Sequence, residues 1–70
     1  MHKISVIIAN RHYTSICLEE EFLEILKQIA EKKNISINAL VTEIDTNRTK
    51  DNLSSAIRVY ILNYIKNLIA

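Results

Sequence analysis

Between Tyr13 and Leu18 the chain alternates, with Thr14, Ile16 and Leu18 on one side of an extended segment and Tyr13, Ser15 and Cys17 on the other, because successive strand side chains point to opposite faces. One side is mostly apolar and the other mostly polar, the pattern of a half-buried strand over 12–18. Such a strand needs a ladder for its backbone donors and acceptors, and a packed face as well. Upstream, Ile4, Val6, Ile7 and Ile8 form a β-branched run within residues 1–10, read as a first strand or a strand-like arm. Asn10-Arg11 interrupts it, and Asn tolerates the left-handed backbone of tight turns. Two readings of that turn stand: a hairpin of residues 4–9 with 12–18, or a bend in one longer strand.

The period then changes to that of helices. Glu19-Glu20-Glu21 opens a first helix over 20–33, where carboxylates suit the positive end of the helix dipole. Phe22, Ile25, Leu26, Ile29 and Ala30 recur at three- and four-residue spacing, which is one buried stripe. Asn34 suits a left-handed cap at its end. Ser36 is an N-cap for a second helix over 37–46, whose stripe is Ile37, Leu40, Val41 and Ile44. Residues 45–52 are polar and read as a loop, with Asp51 or Asn52 capping a third helix. In that helix Leu53, Ala56, Ile57, Tyr60, Ile61, Tyr64, Ile65 and Leu68 hold helical spacing over 53–68. Val59, Leu62 and Ile69 on the flanks widen its apolar surface beyond what one neighbour covers, implying a second contact.

Composition points to a second copy. A 70-residue chain is one small domain that buries only about 60% of its unfolded surface. With one cysteine it has no internal disulfide, yet 49% of its residues are hydrophobic, so a homodimer is the expected way to hide them. A net charge of +1 with 24% charged residues makes the chain neither a polybasic arm nor an acidic tail, and bulk charge does not argue for nucleic acid. The single cysteine fits a reducing compartment, with the cytoplasm as the default. Val6 to Ala9 is too short for a secretory h-region, and no apolar run is long enough to span a membrane. His2, His12 and Cys17 lack ligand spacing, so no metal or other cofactor is expected. Cys17 with His12 has no orienting third group, so no catalytic site and no enzyme are expected. Tyr60 and Tyr64 read as core or interface.

Three segments carry a resemblance: Thr14-Ser15-Ile16-Cys17-Leu18-Glu19, Phe22 leading the first helix, and Asn52-Leu53-Ser54-Ser55-Ala56 opening the third. In this order, with Ser36-Ile37-Asn38 starting the second helix, they make the chain similar to the ribbon-helix-helix DNA-binding family, and within it to a bacterial subgroup with a third helix. The resemblance implies a mostly α fold with short β, an intertwined homodimer that shares an antiparallel β-ribbon able to enter a major groove. It assigns base contact to the strand residues facing away from the helices, Tyr13, Ser15 and Cys17. That set is chemically bland, where such families more often place Arg, Lys, Asn or Gln. It assigns phosphate contact to Ser36, Ile37 and Asn38, since a helix N-terminus presents unpaired N–H groups and partial positive charge. Lys3, Arg11, His12 and Lys33 are candidates for further phosphate contacts. The dimer interface it implies is Thr14, Ile16 and Leu18 on the strand with Ile37, Leu40, Val41, Ile44, Ile57 and Ile61 on the helices.

The leading expectation is therefore a homodimeric DNA-binding regulator of transcription, a repressor or autoregulator whose partners are double-stranded DNA and itself. The alternative is a dimerisation or protein-interaction module without strong DNA binding, including an antitoxin-like protein that holds its partner through the third helix. The weak net charge, the glutamates beside the ribbon and the greasy third helix favour that alternative.

Overall fold

The computed structural model describes residues 1–9, 11–48 and 52–69. The order is β1 (His2–Ile8), β2 (His12–Leu18), α1 (Glu20–Lys32), α2 (Ile37–Asn47) and α3 (Leu53–Ile69). β1 and β2 form a two-stranded antiparallel ribbon in which Ile4 faces Ile16, Val6 faces Thr14 and Ile8 faces His12. The strand at 12–18 thus finds its ladder within its own chain. A ribbon shared with a second copy, as the resemblance implies, would have to be built on an outer edge of this one.

The turn between the strands closes without glycine. Arg11 N–H donates to the Ile8 carbonyl at 3.1 Å, and Ala9 takes the left-handed conformation with φ 55°, which costs an alanine roughly 1–2 kcal/mol. Asn10, the residue whose chemistry suits that conformation, lies outside the described residues, as does the candidate cap Asp51.

Alternation decides which side of the ribbon is covered. Val6, Ile16 and Leu18 are buried against the helices, with Ile4 and Ile8 packed beside them. α1 adds Leu23, Leu26, Ile29 and Ala30, α2 adds Leu40, Val41 and Ile44, and α3 adds Ala56, Ile57 and Ile61. Phe22 and Ile25 are only partly buried, while Leu23 sits in the core. The buried stripe of α1 thus runs through Leu23, and Leu23 lines one cleft with Ile4 and Val6 of β1.

The second and third helices start on side-chain caps. Ser36 Oγ accepts from Ala39 N–H at 3.0 Å and Asn52 Oδ1 from Ser55 N–H at 3.2 Å. The chain leaves α1 through Asn34, whose φ of 58° lets Ile35 N–H reach back to the Ala30 carbonyl at 3.0 Å. Lys33 pairs with Glu43 at 3.0 Å, tying the end of α1 to α2. That carboxylate raises the Lys33 ammonium above its ordinary pKa, and the pairing engages the one candidate phosphate contact on this turn.

Candidate nucleic-acid interface

The uncovered side of the ribbon carries three cross-strand pairs: Lys3 with Cys17, Ser5 with Ser15, and Ile7 with Tyr13. All are exposed except the half-buried Ile7, and Tyr13 is 80% exposed. Ile7 N–H and Cys17 N–H point away from the ladder, to Asn38 Oδ1 at 3.2 Å and Ser54 Oγ at 3.3 Å. These are therefore the non-hydrogen-bonded pairs of the ribbon, where facing side chains stand closest. The face presents one cation, two hydroxyls side by side, a thiol, an aliphatic group and a phenol.

Tyr13, Ser15 and Cys17 thus share one solvent face, and the fold adds Ser5 and Ile7, which sequence reasoning missed. The signal is the alternation Lys3, Ser5, Ile7 against Ile4, Val6, Ile8, hidden because Val6-Ile7-Ile8 is continuously apolar. Lys3 lies on this face, Arg11 is exposed at the turn, and His12 is exposed opposite Ile8 on the helix side of the ribbon.

The start of α2 lies against the outer edge of β1. Ile7 N–H is held by Asn38 and Ala9 N–H by Thr42 Oγ1 at 3.1 Å. Ser36 Oγ is engaged by Ala39, which leaves the first amides of the helix, at Ile37 and Asn38, pointing out of it with no intrahelical acceptor. A cleft of about 360 Å³ joins Ser36, Ile37 and Asn38 to Ser5 on the strand and Lys27 on α1. The sequence pattern leaves Lys27 on a solvated face; the fold brings it to the edge of this cleft.

The other ribbon edge is held by α3. Ser54 bonds Cys17 N–H, Arg58 Nη2 donates to the Cys17 carbonyl at 3.4 Å, and Arg58 Nε pairs with Glu19 Oε1 at 3.0 Å. The guanidinium also stands 5.8 Å from the Phe22 ring centroid, within cation–π range. Glu19's own backbone N–H, then Arg58, hold its carboxyl below the ordinary value of 4.5. A depressed folded-state pKa contributes stability that is present above the ordinary value of 4.5 and lost as pH falls through the lowered one. The thermal midpoint is expected to drop as the solution is acidified below pH 4.5, and less so in Glu19→Gln over the same range. Equal slopes in paired thermal melts would remove Glu19 from the acid response.

The residues that the resemblance gives to a dimer interface are mostly covered within one chain. Ile16, Leu18, Leu40, Val41, Ile44, Ile57 and Ile61 are buried, and Thr14 and Ile37 are half-buried. Apart from Met1 and Tyr13, the exposed large hydrophobics among the described residues lie on α3, at Val59, Leu62, Ile65, Leu68 and Ile69. Among the described residues no three His, Cys, Asp or Glu side chains gather to hold a metal ion, and no helix is long and apolar enough to cross a membrane.

A two-stranded antiparallel ribbon followed by three helices, with one ribbon face open, defines a ribbon-helix-helix domain carrying an additional C-terminal helix. The family model for the ribbon-helix-helix domain matches residues 1–65, and the chain belongs to that family. Domains of the family are typically DNA-binding transcription regulators, generally dimeric and not enzymatic. No curated protein and no solved structure matches this chain.

Proposed function

We propose that this protein is a homodimeric DNA-binding regulator of transcription, a repressor or autoregulator, that places the open ribbon face in the major groove. The observation that carries this reading is the uncovered face itself, three cross-strand pairs with no helix over them. Two strands about 5 Å apart with their side chains suit a groove about 12 Å wide. A four-stranded sheet made by joining two ribbons would span about 14 Å of backbone, so each chain's own ribbon is the reading unit.

Ser5 and Ser15 donate or accept at several base edges, Tyr13 offers a hydroxyl and a ring, and Cys17 and Ile7 suit the thymine methyl. Lys3 on the open face and Arg11 at the turn lie where the backbone of the duplex would pass, whereas His12 points to the helix side of the ribbon. The Ile37 and Asn38 amides with Ser36 and Lys27 form a phosphate seat that fixes register without reading sequence.

The test is binding of the full chain to a short duplex between about 50 and 200 mM salt. About three phosphates neutralised per chain correspond to roughly a 40-fold loss of affinity over that range. Replacing Asn38 is expected to weaken binding across all duplexes, whereas replacing Ser15 shifts sequence preference. No duplex binding at the low-salt end sinks the reading.

A second reading is a protein-interaction module, antitoxin-like, that keeps the fold without using the groove. The exposed apolar positions of α3 favour it. It would be supported by a stoichiometric partner of different sequence that is lost on Val59→Asp.

A further inference from the structure

The open face of the ribbon differs from end to end. Its three cross-strand pairs run from Lys3 with Cys17, through Ser5 with Ser15, to Ile7 with Tyr13 beside the turn. The end pairs are four residues apart in each strand, which at about 3.4 Å per residue is roughly 14 Å. The cation therefore belongs to one end of the face, and the aliphatic and aromatic groups to the other.

Base edges in a major groove differ in their donors and acceptors and in one apolar group, the thymine methyl. Bidentate contact to guanine takes Arg or Lys, and to adenine Asn or Gln. Of these the open face holds Lys3 alone, at the end remote from the turn. At the turn end, Ile7 and Tyr13 offer a branched alkyl group and a ring with a hydroxyl, and the edge feature that complements the alkyl group is a methyl. Resting on the DNA-binding reading above, we propose that Ile7 and Tyr13 together determine its specificity by enclosing the C5-methyl group of thymine. The sequences preferred are then those that present thymine to the turn end of the ribbon.

The geometry of the pair suits that role. It is a non-hydrogen-bonded pair, in which facing side chains stand closest, so the two groups form one apolar notch. Ile7 is ordered before any ligand arrives. It is β-branched and stiff at χ1, its N–H is held by Asn38 Oδ1 at 3.2 Å, and the N–H of Ala9 is held by Thr42 Oγ1 at 3.1 Å. Its half-buried side chain lines a cleft with Ser36, Asn38 and Ala39. A side chain fixed in this way loses little freedom on meeting a methyl. The same cleft joins Ile7 to the start of α2, so a phosphate held at the Ile37 and Asn38 amides would set the duplex against this pair. Tyr13, for its part, is with Met1 one of the two exposed large hydrophobics among the described residues outside α3. Covering its ring with a base edge removes apolar surface that the fold leaves in water.

Two duplexes that differ only in that methyl provide the test: a short alternating dA–dT duplex, and the same duplex with deoxyuridine in place of thymidine. Each is titrated with the full chain at about 50 mM salt, and the phosphate charge and base pairing are the same in both. A buried methyl is worth about fourfold in affinity, so the wild type is expected to bind the thymine duplex at least about fourfold tighter. Ile7→Ser and, separately, Tyr13→Ser are expected to bring the two affinities within about twofold of each other, with the salt dependence set by phosphate contacts unchanged. Because Tyr13 is exposed, its replacement reads out the notch even if the half-buried position 7 does not accept serine. Ser5→Ala, at the middle pair of the same face, is expected to keep the full preference. Equal binding of the two duplexes by the wild type overturns the proposal and leaves DNA binding standing. A preference that survives Tyr13→Ser, or that is lost equally in Ser5→Ala, also overturns it, the former by assigning the methyl effect to duplex shape. Failure to bind either duplex sinks the DNA reading itself, and the thymine contact with it.

Discussion

Val6→Asp is expected to unfold the protein. Val6 is 2% exposed and faces Thr14 across the ribbon, on the side that meets the helices. A carboxylate there has no cation or donor to pair with among the buried side chains described, all of which are hydrophobic. Burying an unpaired charge costs several kcal/mol even after relaxation. A chain of 70 residues has roughly 4–10 kcal/mol of stability in total, so the cost is comparable to the whole. Urea titration followed by circular dichroism measures it. A Val6→Asp protein with the wild-type midpoint would show that β1 is not part of the core.

Ser15→Glu is expected to do the reverse, keeping the fold and abolishing duplex binding. The side chain lies on the open face beside Ser5, where a carboxylate stays in water and perturbs stability little. Against a groove walled by phosphates the same charge costs several kcal/mol of like-charge repulsion, an affinity loss of about 100-fold or more. Gln28→Glu changes net charge equally on an exposed turn of α1 and is expected to leave affinity within about threefold. Equal losses in the two variants, measured by fluorescence anisotropy at fixed salt, would mean that net charge and not the ribbon face governs binding.

Residues 6 and 15 differ so much because of a single alternation, which is readable at 13–18 but only half readable at 2–8. Ser15-Ile16-Cys17-Leu18 alternates between the open and the covered face, so the open face of β2 follows from the sequence. In β1 the step fails at Ile7, which is apolar yet lies on the open face, and the pattern alone leaves the pairing of the two strands undecided. The turn gives no help, since the left-handed position described there is Ala9, a residue that carries no turn signal. The ribbon and three helices are legible because each has its own period, and Ser36, Asn34 and Asn52 cap by local chemistry alone. Lys27 beside the start of α2 and Arg58 beneath β2 are not, because each is placed by packing between elements far apart in sequence. Leu23 illustrates the same limit: whether it or Phe22 is buried depends on the first strand of the ribbon, which no helical period encodes.

If the open ribbon face reads DNA as proposed, a surface built from one continuous segment exists at any chain concentration. Where two subunits must meet before a ribbon forms, dilution removes the DNA-contacting element itself, and occupancy falls with the square of the dose. Here the hairpin closes over a loop of residues 9–11, on the microsecond scale of local hairpins, before any second molecule arrives. Under the proposed function, association of subunits would then add avidity to a unit already folded within one chain. A promoter governed by such a protein would answer to expression level in a graded manner at low abundance and steeply only above the threshold for subunit association.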